Sequence, residues 1–259
     1  MTASTPTPTS TAALVTYLLR LADDNLILAQ RLGGAISWMP DVEDDVAVAN
    51  LCLDHLGQAR NLYTYAGAVE GAGRTEDDLA MLRGEREMLN AVLVEQPNGD
   101  FAHLVVRQLF TDAYQVPLYE ALVASADPEL AAIAAKAAKE ARYHLRLSST
   151  WAVRLGDGTD ESHRRMQAAV DGLWSFTGDL FTTDAVEAEL AAAGVAPDLD
   201  ALRARYDATV AEVLAEATLS PPTDPYQRIG GRTGYHTEHL GHLLPEMQSL
   251  YRAHPGAEW

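Results

Sequence analysis

Apolar residues recur every three to four positions through most of the chain, and no long alternating Val/Ile/Thr run interrupts them. That is the pattern of amphipathic helices rather than strands. A first long helix is predicted from Ser10 to Ile36, closed by Trp38-Met39-Pro40. Asp41 then caps a second, reaching about Glu70, with acidic residues in its first turn where the helix dipole favours them. Gly71 to Gly73 end it, and Thr75 opens a shorter helical stretch that stops at the turn Gln96-Pro97-Asn98-Gly99. Asp100 caps a third long helix to about Ser125, with a bend expected at Pro117. Asp127-Pro128 starts a fourth that runs to Gly156-Asp157-Gly158. Weaker helices follow from Asp160, Asp184 and Asp198, and a Pro/Gly-rich loop, Ser220 to Gly234, leads to a last helix from about Tyr235 to His254. Four long helices with short connections predict an all-α fold, an antiparallel four-helix bundle with additional C-terminal helices. The expected organisation is a tail over 1–9 and one helical domain over 10–259, its bundle core at about 10–156 and packed helices at about 159–259.

At 100° per residue the faces of these helices follow from the sequence. In the fourth helix Lys136, Lys139, Arg142, Arg146 and Arg154 share one arc, a basic stripe. Glu140 and His144 share another with Ile133, Ala137, Leu147 and Trp151, so two ionisable side chains sit on the apolar face. In the third helix Asp112 falls among Phe101, Val105, Val116, Tyr119 and Val123, and in the first Asn25 lies among leucines. The second helix carries a polar arc of Asn50, Asp54, Gly57, Gln58 and Asn61, either a narrow solvent face or an inward polar strip.

Buried carboxylates need partners. Two arrangements suit Asp54, Asp112, Glu140 and His144: a di-metal carboxylate site, or a metal-free network of hydrogen bonds and ion pairs. A di-metal site in a bundle takes a Glu from each of two helices and Glu-x-x-His from each of the other two. None of the eight histidines has Glu three residues before it; Asp100/His103 and Asp160/His163 come nearest, and both aspartates read as helix caps. Tyr143 stands where Glu140 would want its histidine, and Asn25 offers a neutral amide, a poor iron ligand. The count favours a buried polar network, the relic of a di-iron site, with no catalytic residue and no metal ligand in this chain.

Composition narrows the partners. Nineteen Lys and Arg against 37 Asp and Glu give a net charge of −18, which disfavours nucleic acid and anionic membranes. One cysteine, Cys52, excludes a disulfide framework or a Cys-rich metal site, and no apolar run is long enough to span a membrane. The N-terminus has neither the basic start nor the apolar core of a signal peptide, so a cytoplasmic location is expected. His236, His239 and His242 are too spread around a helix to share one ion, and Gly230-Gly231-Arg232-Thr233-Gly234 lacks the strand and spacing of a phosphate-binding loop. The basic stripe is either a solvated face or a docking surface for an acidic partner or coenzyme A.

Several runs taken together carry a resemblance. They are Leu53-Asp54-His55-Leu56-Gly57-Gln58-Ala59-Arg60-Asn61, Val94-Glu95-Gln96-Pro97-Asn98-Gly99, Lys139-Glu140-Ala141-Arg142-Tyr143-His144-Leu145-Arg146 and His236-Thr237-Glu238-His239-Leu240-Gly241. From Leu21 to Trp259 the chain resembles the structural-subunit family of bacterial phenylacetyl-CoA epoxidases, multicomponent monooxygenases of phenylacetate catabolism. The resemblance implies a ferritin-like fold and a non-catalytic role beside a catalytic A subunit that holds the di-iron centre and binds phenylacetyl-CoA. It further implies a bridging B subunit, and a reductase with FAD and a 2Fe-2S cluster that supports NADPH- and O2-dependent 1,2-epoxidation of the ring. A homodimer is plausible for the isolated chain. An independent di-iron oxygenase or ferroxidase and a coenzyme A-binding adaptor are the alternatives.

Overall fold

The structure, a computed structural model, describes residues 10–224 and 226–257; the predicted tail over 1–9 lies outside them. Among the described residues every regular element is helical. Four long helices form a bundle: α1 (Thr11–Gly33), α2 (Val42–Glu70), α4 (Phe101–Leu122) and α5 (Pro128–Gly156), with the short α3 (Glu76–Met81) between the two pairs. Helix α1 packs along α2, α4 along α5, and α2 faces α5. One long crossover joins α2 to α4, the connectivity of ferritin-like bundles. The all-α, ferritin-like expectation is borne out.

Local chemistry sets the helix starts. Ser10, Asp41, Asp100 and Asp127 each accept a bond from a backbone N–H of the first turn. Gly71 ends α2 in the left-handed region at φ 68°. Helix α4 is buried almost all round, from Leu104 to Tyr119. The reason is its position: α5 covers one side, while α6 (Asp160–Trp174) and α8 (Leu199–Glu216) cover another. Pro117 sits inside α4 without ending it. Helix α7 (Ala185–Ala192) packs on α1, and α9 (Glu238–Ala253) packs on α3. Asp184 and Asp198 cap their helices as expected, whereas Thr159, not Asp160, caps α6.

Two stretches differ from the sequence prediction. Helix α3 covers six residues instead of reaching Gln96, and residues 88–96 run through the interior as turns. Carboxylates from other elements take their backbone donors: Leu89 N–H gives to Asp23, Ala91 N–H to Asp24 and Val92 N–H to Asp179, at 2.6, 2.7 and 2.9 Å. A charged acceptor outcompetes a helical carbonyl for such a donor. At the other end α9 starts at Glu238, because Thr237 N–H and its hydroxyl are bonded to Glu95 of the crossover.

Candidate functional site

The middle of the bundle holds a polar cluster. Asn25 of α1 donates from Nδ2 to the Leu21 carbonyl and to Tyr119 Oη, both at 2.8 Å. Its Oδ1 therefore faces inward and accepts the Nδ1–H of His55 at 2.8 Å. Nε2 of His55 accepts only a long bond of 3.3 Å from the Gln108 amide. Burial, and then the like charge His144 would carry, push His55 well below its ordinary value, so the ring is neutral.

From α5, His144 gives Nε2–H to Asp54 at 3.0 Å. Its Nδ1 is buried without a partner. The two rings are 4.9 Å apart, centre to centre. Asp112 of α4 is wholly buried and accepts from Gln108 Nε2 and from the Ser148 hydroxyl, each at 2.7 Å. Burial raises its carboxyl to about 6, against the opposing pull of His144, Ser148 and Gln108.

The four expected network residues are thus placed at two depths. Asp112 and His144 lie in the core. Asp54, 35% exposed, and Glu140 lie at its rim, Glu140 accepting a bond from Gln58 at 2.9 Å and forming an ion pair with Lys136 at 3.6 Å. Of the polar arc on α2, Gln58 is buried while Asn50 and Asn61 are exposed. His55 escaped the sequence reading, although it sits in one stripe with the buried Val48, Leu51, Ala59 and Leu62 at helical spacing.

A second cluster fastens the crossover. Arg83 pairs with Asp23, and Arg232 grips Asp24 at 2.8 Å. The backbone N–H groups of Gly230 and Gly231 bind an anion, but an internal one, Asp179. His236 spans Glu95 and the Met88 carbonyl, both at 2.8 Å, a structural role.

A family profile described as "Phenylacetic acid catabolic protein" matches residues 1–259. The chain belongs to that family. It is 51% identical over 246 residues to the C subunit of the 1,2-phenylacetyl-CoA epoxidase of Escherichia coli (strain K12), an alignment covering 95% of this chain and 99% of that protein.

A di-iron centre does not fit the bundle of this family member. Such a centre needs carboxylates from all four helices, whereas here the innermost positions hold Asn25, His55, Gln58, Gln108, Gln115 and His144, with Asp112 as the one wholly buried acid among them. On the surface, the five residues of the basic stripe are exposed. Arg142 is drawn to Glu120 at 2.8 Å, and Arg154 lies over Trp151. Helix α2 also exposes Val42, Val46, Leu53 and Leu56, and Trp38 is exposed at the α1–α2 corner. No helix among the described residues is long and apolar enough to cross a membrane.

Proposed function

We propose that this chain is a structural subunit of a phenylacetyl-CoA epoxidase in phenylacetate catabolism, with no catalysis of its own. The single observation that carries the reading is the end-to-end likeness to the C subunit of the Escherichia coli epoxidase. The bundle interior supports the division of labour, because amides stand where a di-iron centre needs carboxylates. The catalytic A subunit then supplies the iron and binds the thioester, a B subunit bridges such pairs, and FAD and 2Fe-2S of a reductase deliver electrons from NADPH.

The exposed apolar residues of α2 suit a subunit that buries this face against a partner. The basic stripe, Lys136, Lys139, Arg142, Arg146 and Arg154, is proposed as part of the contact with the acidic side of a partner or with coenzyme A. The isolated chain pairs with itself through the same apolar face, and it works in the cytoplasm. The test is reconstitution from separately purified subunits, with and without this chain. The expected result is no epoxide from this chain plus reductase, and full turnover only with the A subunit and this chain together. Turnover by this chain and reductase alone would overturn the proposal.

A further inference from the structure

Two histidines and an aspartate from three different helices meet in the core, and their protons point away from one another. A ligating nitrogen of His55, one of His144 and a carboxylate oxygen of Asp112 lie within 4.8 Å of each other. Each ring spends its N–H on an oxygen at its outer side, Asn25 Oδ1 for His55 and Asp54 Oδ2 for His144. The nitrogens left over, Nε2 of His55 and Nδ1 of His144, carry lone pairs. Metal-binding histidines are held in this way, with the distal N–H given to a carboxylate or carbonyl.

The other acids no more than 4% exposed make the contrast plain. Asp23 and Asp24 each have an arginine, Glu95 has His236, and Asp179 has three backbone N–H groups. Asp112 has only the neutral Gln108 and Ser148 as hydrogen-bond partners. Buried charge is paired or coordinates a metal. Beside it, His144 Nδ1 and Gln108 Oε1 are buried without partners, a costly arrangement unless something occupies the space between.

We propose that His55, Asp112 and His144 bind one divalent transition-metal ion, zinc by preference, as a structural staple joining α2, α4 and α5. Such a site is independent of the epoxidase reading. It also departs from the expectation of a metal-free chain, which rested on counting ligands for two irons; one ion asks for less. Zinc lies about 2.0–2.2 Å from imidazole nitrogen and carboxylate oxygen, so the donors close on it with side-chain movements of about 1 Å. The Gln108 amide now bridges Asp112 and His55 through its nitrogen. Turned about its last torsion, it presents Oε1 as a fourth, oxygen ligand. Two imidazoles and hard oxygens suit zinc or ferrous iron rather than calcium or magnesium, which prefer oxygen throughout. His55, Asp112 and His144 are wholly buried, so no substrate reaches an ion held there, hence a structural ion.

The test uses the full chain, stripped with a chelator and titrated with Zn(II) against a chromophoric competitor. Co(II) then serves as the spectroscopic probe, and iron and zinc are measured in the protein as purified. The expected result is one zinc per chain, visible bands of tetrahedral Co(II) and a higher melting temperature on loading. His55→Gln and Asp112→Asn abolish all three, while His236→Gln, away from the site, leaves them. Asp54→Ala, at the half-exposed rim, keeps the fold and weakens zinc roughly 10–100-fold by freeing the His144 ring. Absence of binding by the folded wild-type chain would overturn the proposal, as would one zinc per chain undiminished in folded His55→Gln. One ferrous ion, lost with the same variants, would support the site and overturn the preference for zinc.

Discussion

The guanidinium of Arg232 meets the carboxylate of Asp24 in two parallel bonds of 2.8 and 3.0 Å, both side chains about 95% buried, across 208 residues of sequence. Asp24 also accepts the N–H of Ala91 at 2.7 Å, so one carboxylate ties together α1, the crossover and the loop before α9. The pair has the geometry in which Arg and carboxylate bind most strongly.

Removing one partner leaves the other charge buried and uncompensated. Asp24→Ala is therefore expected to cost about 3–5 kcal/mol. Replacing both residues by apolar ones, as in Asp24→Leu with Arg232→Met, should recover a large part of that loss. Urea unfolding of Asp24→Leu, Arg232→Met and the double variant checks this, and additive losses would refute it.

His236 provides a pH dependence with a defined sign. Burial opposes charge on the ring, but the bond to Glu95, its charge and the Met88 carbonyl outweigh it, so the ring titrates above its ordinary 6.5. Both ring nitrogens face oxygen acceptors, which requires the doubly protonated form. A raised histidine contributes stability that is complete below the unfolded value and lost as the pH rises through the folded one. The stability gap between wild type and His236→Gln should accordingly narrow from about pH 6.5 upward. A gap that is flat or widens over that range would contradict the charged ring.

Gly231 has no room for a side chain. A Cβ there would stand 2.1 Å from the Asn90 carbonyl oxygen and 2.7 Å from Asp179 Oδ2. Gly231→Ala should push Asp179 off its three backbone donors and cost about 1–3 kcal/mol. Thermal melts of this variant against Gly73→Ala, where a Cβ meets nothing within 4 Å, separate crowding from a glycine's backbone preference.

Charge reversal at Arg142 and Arg146 tests the basic stripe. Both are exposed, and the Arg142–Glu120 pair is a surface contact worth about 0–1 kcal/mol. Stability should barely move, while co-purification with the epoxidase subunits should fall and become more salt-sensitive. Unchanged complex formation would remove the stripe from the interface.

Much of this protein is written locally. Caps at Ser10, Asp41, Asp100 and Asp127, the glycine after α2 and a 3.6-residue apolar period determine where the long helices begin, end and face. Those faces already carried Asp112 and His144 inward, since a helix period is a short-range property. Partners are not. Residues 75–96 satisfy a helical pattern, yet 88–96 turn through the core because Asp23, Asp24 and Asp179, distant in sequence, take their backbone donors. His55 and His144 come within one ring's width only when α2 faces α5, 89 positions along the chain. Which buried acid finds an arginine, and which is left with neutral neighbours, was settled by packing alone, because desolvated charges are paired by distance in space and a sequence records only distance along the chain.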